Sequence, residues 1–162
     1  MFDLRDMAAG IVALALLFLA ASLATALQVY RRRRQRARES EAALGRTVIA
    51  EVPAAEDLVL FSEDRERFYY GDRRIDKDLI AAVRVLINGT PIAAALSTRH
   101  SGSSNRQPTT FEDRPEGIAR DRWDVAIETL TGTVLVECGA IRERVSQELA
   151  RAVFDAVKRT ID

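Results

Sequence analysis

The chain has 162 residues, 48% apolar and 30% charged, with Gly 8 and Pro 4, which excludes a chain disordered throughout and a collagenous or low-complexity one. A single Cys, Cys138, excludes an intramolecular disulfide framework, and a single His, His100, leaves no multi-His or Cys/His zinc site in one chain. The formal charge of zero is a cancellation: residues 1–38 hold seven Arg against Asp3 and Asp6, a net of +5, while the other 124 residues hold 17 basic and 22 acidic side chains, a net of −5.

Met7 to Tyr30 is a run of 24 residues without charge, in which only Ser22, Thr25 and Gln28 are appreciably polar. As a helix it spans roughly 36 Å, enough to cross a hydrocarbon core of about 30 Å with some tilt. The competing readings are a buried core helix and a cleaved signal peptide, for which Ala24-Thr25-Ala26 resembles a small-residue cleavage site. The acidic segment before the run, its length and the basic residues after it favour a retained anchor through residues 7–30.

Arg31, Arg32, Arg33, Arg34, Arg36 and Arg38 follow the run directly, so the positive-inside rule places the carboxyl-terminal side in the cytoplasm and the amino terminus outside. Tyr30 falls at headgroup level. The cluster reads first as a topology signal; contact with anionic lipid is the further use it could serve. Ala20 and Ala24, Ala21 and Thr25, and Ser22 and Ala26 are small residues four apart, a candidate face for helix packing, although an unpaired Ala-rich anchor is the simpler reading. Residues 31–46 form a juxtamembrane segment and linker, and Glu39 to Arg46 can prolong the helix until Gly45 interrupts it.

The globular part is expected over 47–162. Strands are predicted over Thr47–Val52, Leu58–Ser62 and Arg67–Tyr70, the last two forming a hairpin around the charged tip Glu63 to Glu66. Asp72, Asp76 and Asp78, interspersed with Arg73, Arg74 and Lys77, read as a solvated charged turn. Leu79–Ile87 and Thr90–Thr98 flank Asn88-Gly89, a type I′ hairpin signal that also matches a glycosylation sequon; on the cytoplasmic side the turn reading prevails.

His100 to Asp121, rich in Ser, Asn, Pro, Gly and charge, is expected to be a long loop, either a mobile insert or a partner contact through Arg106, Phe111 and Ile118. Trp123–Leu130 alternates, Thr131-Gly132 turns the chain, and Thr133–Cys138 answers as a second hairpin arm. Cys138 then ends a core strand as an inert small hydrophobe. An amphipathic helix closes the chain over Ala140–Ile161, with Ile141, Val145, Leu149, Ala152, Val153, Ala156, Val157 and Ile161 as its stripe and Phe154 at the edge. Arg144 with Glu148 and Arg151 with Asp155 can pair on the other face.

The order of elements, carried by LIAAVRVLINGTPIA and by WDVAIETLTGTVLVECGAIRERVSQELARAVFDAVK, resembles the pleckstrin-homology-like (PH-like) fold of small bacterial membrane proteins with one span. The resemblance implies an α+β domain: a bent antiparallel sheet or open barrel of about seven strands closed by a C-terminal helix. It also implies binding of protein, peptide or lipid headgroup rather than catalysis. The mixed charge of Ser62 to Arg67 departs from the basic loop of phosphoinositide-binding members.

No phosphate loop, G-x-G-x-x-G, G-x-S-x-G or H-E-x-x-H occurs. His100 beside Ser101 and Ser103 lacks a visible orienting group. The interspersed charges of the globular part give no continuous basic footprint for nucleic acid. The sequence therefore points to a single-pass protein of the bacterial inner membrane whose cytoplasmic domain is a noncatalytic module for a protein partner, without cofactor or metal. An accessory or assembly subunit of an inner-membrane complex is one alternative, and an enzyme using His100 or Cys138 another.

Overall fold

A computed structural model describes residues 4–53, 58–100 and 121–162. The chain divides into two compact units, Met1–Ser40 and Glu41–Asp162. The first is most of helix α1, Leu4–Ala43, 40 residues that run without a break through both the apolar run and the Arg-rich segment. Nothing in this stretch stops a helix: Leu, Ala, Arg, Gln and Glu are all good formers, and no Pro occurs. The helix ends just before Gly45, where Gly45 N–H donates to Ala42 O and Arg46 N–H to Glu41 O.

The second unit is α+β. Strands β1 (Thr47–Pro53), β2 (Leu58–Glu63), β3 (Arg67–Tyr70) and β4 (Arg73–Asp76) form an antiparallel meander in the order β1-β2-β3-β4. A short 3-10 turn, Lys77–Leu79, leads to β5 (Ile80–Ile87) and β6 (Thr90–Leu96); after a second turn at Thr98–His100 come β7 (Arg122–Thr129), β8 (Gly132–Ala140) and helix α2 (Arg144–Ile161). The second sheet has the order β6-β5-β7-β8, so β5 lies between β6 and β7.

Expectation and structure differ here. Among the described residues there are eight strands where about seven were expected, and they form two four-stranded antiparallel sheets. The extra strand is β4, within the segment read as a solvated charged turn. It pairs because Ile75 points into the core opposite Phe68, and Arg67 reaches Asp76 directly across the ladder at 2.6 Å. One inward apolar residue and one cross-strand ion pair are enough to hold a short edge strand whose other side chains stay in water.

Both sheets and α2 share one core. Phe61 and Phe68 stack at 5.5 Å between centroids, and Val52, Ile75, Ile80, Val83, Val125, Ile127 and Val136 join Val153 and Val157 of α2. α2 lies against β5, β1, β7 and β8. It begins at Arg144, not Ala140, because β8 stays in the ladder as far as Ala140, opposite Arg122. The buried stripe turns accordingly: Ser146 and Ala150 face inward with Val153, Ala156, Val157 and Ile161, while Val145, expected in the stripe, is 63% exposed. Leu149 and Phe154 pack at its edge. Gly139 (φ +109) approaches α2 so closely that a Cβ there would stand 2.6 Å from Ser146 Oγ, so the helix seats Ser146 where residue 139 carries no side chain.

A second, polar cluster covers the opposite side of the first sheet. Ser62, almost wholly buried, donates to Glu41 Oε2 at 2.5 Å, and the Arg46 guanidinium lies 3.6 Å from the centre of the Tyr69 ring. The β2–β3 tip is organised by an acid: Asp64 Oδ1 accepts the N–H groups of Glu66 (2.8 Å) and Arg67 (2.7 Å), and Tyr69 Oη donates to its other oxygen at 2.7 Å. The Tyr69 hydrogen bond and these backbone donors hold the Asp64 carboxyl below its ordinary value of 3.8.

Candidate functional site

The apolar face of α1 is its whole circumference. Leu16, Leu17, Phe18 and Leu19, which at about 100° per residue sweep a full turn, are all exposed, as are Ile11, Leu14, Leu23 and Leu27. Among the described residues Gly10–Ala43 is the helix with an apolar window long enough to cross a membrane, and none of that window is buried. Its polar groups are consumed locally: Ser22 Oγ donates to Phe18 O at 2.8 Å and Thr25 Oγ1 to Ala21 O. Such i−4 bonds let hydroxyls sit in an apolar medium without an orphaned donor. The small residues Ala20, Ala21, Ser22, Ala24, Thr25 and Ala26 are all exposed on this stretch.

Tyr30 and the six Arg follow on the same continuous helix. Arg31, Arg32, Arg33 and Arg34 ring the axis over one turn, and Arg36 and Arg38 lie a further turn along, the last roughly 12 Å beyond Tyr30. Gln35 donates to Glu39 Oε1 at 2.9 Å on the outer part of this segment.

Two residues set aside as chemical candidates are occupied by structure. Cys138 is fully buried within β8, and burial pushes its thiol up to about 12, so it carries no thiolate near neutral pH. It lies inside the strand rather than at its end, since β8 extends two residues further. His100 closes the Thr98–His100 turn with Nε2 at 2.8 Å from Asp78 O, next to the Arg99–Asp78 ion pair at 3.0 Å. Arg106, Phe111 and Ile118, with residues 101–120 of the expected loop, lie outside the described residues.

The sequence left one charged group unnoticed. On the face of the second sheet away from α2, Arg122 Nε lies 2.7 Å from Asp124 Oδ1 and its Nη1 3.0 Å from Glu137 Oε2, while Arg84 Nε lies 3.1 Å from Glu128 Oε1. The Nε groups are not aimed along these contacts, which makes the Asp124 and Glu128 pairs ionic rather than aligned hydrogen bonds. Arg84 stands opposite the buried Ala126 in the ladder, and the side chains of Arg84 and Arg122 are both mostly covered. The signal was present in the spacing: Arg122 and Asp124, two apart in a strand, share a face.

Asn88 is a second unforeseen organiser. With φ 51 followed by Gly89 at φ 78, it adopts the two positive φ values of the type I′ turn expected there. Its side chain reaches further: Oδ1 accepts the N–H groups of Asp121 (2.6 Å) and Arg122 (3.1 Å), tying the β5–β6 turn to the start of β7.

No family model, curated protein or solved structure matches this chain. Fold and site together define a coarse class: an α+β chain carrying one candidate membrane-spanning helix near its amino-terminal end.

Proposed function

We propose that this chain is a membrane-anchored, noncatalytic interaction module of the bacterial inner membrane. Residues 7–30 cross the bilayer, the amino terminus lies outside, and a PH-like domain binds a protein partner at the cytoplasmic face. The observation that carries the reading is α1, whose apolar side chains are exposed around the full circumference and are followed at once by a ring of guanidiniums. A helix apolar all round finds its solvent in lipid, and the basic flank selects the cytoplasmic side. The Arg ring also lies within reach of anionic headgroups. Structural employment of Cys138 and His100 favours binding over catalysis.

The small residues Ala20, Ala21, Ser22, Ala24, Thr25 and Ala26, exposed on α1 at four-residue spacing, favour a second reading as an accessory subunit that packs against another membrane helix. A reporter fused after Asp162 is expected to be active in the cytoplasm and silent outside, with the chain in the membrane fraction. The reverse pattern overturns the orientation, and a chain recovered in the soluble fraction overturns the anchor. Purification in mild detergent is expected to retain a stoichiometric protein; a lone monodisperse chain removes the accessory-subunit reading.

A further inference from the structure

The four sheet edges are not alike. β1 carries Glu51 and ends in Pro53, β4 carries Arg73, Arg74 and Asp76, and β8 carries Glu137. Such charges and prolines discourage pairing with another chain. β6, TPIAAAL, has no charged residue, and all of it but Ala95 is exposed, with Ile92 at 53% and Leu96 at 51%. Among the described residues its guards are Pro91 and the register shift beside it, both at the amino-terminal end.

The ladder shows which backbone groups are open. Ser97 N–H donates to Ala81 O at 2.8 Å, so the pair Ala81/Ser97 faces inward, and by alternation so does Val83/Ala95. Ala94 and Leu96 therefore turn their N–H and C=O groups away from β5, toward the free edge.

We propose that β6 pairs antiparallel with β6 of a second copy, about a two-fold axis through Ala95. In this register Ala94 of one copy faces Leu96 of the other, and each facing pair exchanges two bonds, about four backbone hydrogen bonds in all. The side chains fit the same axis. Leu96, half exposed in the single chain, lies against the small Ala94 of the second copy, and Ala95 meets its own image where a larger residue would separate the strands. The pairing is isologous and closed, and it joins the two second sheets into one continuous sheet. A single strand edge buries less than the roughly 1,200 Å² at which specific complexes hold in free solution. The pairing rests on the anchored reading for its strength, because two copies held in one bilayer meet at a raised effective concentration.

Full-length chains bearing carboxyl-terminal donor and acceptor fluorophores, co-expressed at matched levels, test the register through energy transfer in membranes. The wild type is expected to transfer above an unrelated single-span control. A94K/L96K sets Lys against Lys at both facing pairs, and two like-charged pairs are expected to lower the paired fraction roughly tenfold. A94K/L96E sets Lys against Glu and is expected to restore transfer to the wild-type level, and thermal denaturation of the purified chains checks that both variants fold. Transfer at control level in the wild type, unchanged transfer in A94K/L96K, or no recovery in a folded A94K/L96E overturns the pairing. Transfer that persists in A94K/L96K assigns association to another surface, the α1 small-residue face included. Fractionation of the same cells reports on the anchor separately: a soluble chain removes that reading, and the comparison of the two variants still decides the pairing.

Discussion

In α2 the buried side chains Ser146, Ala150, Val153, Ala156, Val157 and Ile161 lie on one side and charged residues such as Arg144 and Glu148, paired at 3.0 Å, on the other. In α1 large apolar side chains are exposed on every side from Ile11 to Val29. The apolar stretch of α1 holds no charged residue and α2 carries them on one side, and that difference decides what can surround each helix. A one-sided stripe requires protein on one side and water on the other, whereas a helix apolar all round has no face to offer water. The same physics separates their glycines. An added Cβ at Gly10 of α1 meets nothing within 4 Å, while at Gly139, under α2, it collides with Ser146.

The largest expected effect tests that contrast by adding a charge to each helix. Val157→Asp buries a carboxylate in the shared core and is expected to cost more than about 4 kcal/mol, unfolding the domain. Leu17→Arg is expected to cost about 2.5–3.5 kcal/mol of membrane insertion and to leave the melting temperature of the domain unchanged. Thermal denaturation and membrane fractionation of both variants check the pair. If Leu17→Arg unfolds the domain, α1 is part of its core and the contrast fails.

A smaller effect is expected at the glycines. Gly139→Ala combines a positive φ with the Ser146 collision and is expected to lose about 1–3 kcal/mol, measured by denaturant unfolding. Gly10→Ala, in open surroundings and a helical position, is expected to be neutral or to gain up to about 1 kcal/mol of helix stability. Equal effects at both positions would mean that α2 is not seated on β8 as described.

The smallest effect is pH-dependent and confined to the sheet domain. The Asp64 carboxyl is held below 3.8, chiefly by the Tyr69 hydrogen bond, so its stabilising contribution is present above that value and is lost as the pH falls through the lowered folded-state value. Melting curves of Tyr69→Phe between neutral pH and the acid limb are expected to show a weaker acid dependence than the wild type. An identical dependence removes Tyr69 from the account.

Much of the architecture was legible because its signals are local. A charge-free run, an Arg cluster after it, Asn-Gly between apolar runs and a 3.6-residue stripe each depend on neighbours in sequence, and α1, the β5–β6 turn and α2 follow from them. β4 escaped because a strand with one inward residue, Ile75, has no pattern of its own until Phe68 and Asp76's partner Arg67 stand opposite. Arg122, Asp124, Glu137, Arg84 and Glu128 escaped as a group because they come from β5, β7 and β8, and only the ladder brings them to one face.

By itself the sequence determined the pattern of each segment: uninterrupted apolarity marks Met7–Tyr30 as a candidate membrane span, and alternating or one-sided apolarity marks the strands and α2 as parts of a protein core. Tertiary structure alone decided where α2 begins, which of its residues face inward, and that the uncharged β6 lies at a sheet edge. The physical reason is that these depend on register and close approach. Helix start follows from β8 remaining paired to Ala140, and the seat of Ser146 against Gly139 is a close approach that no spacing along the chain contains.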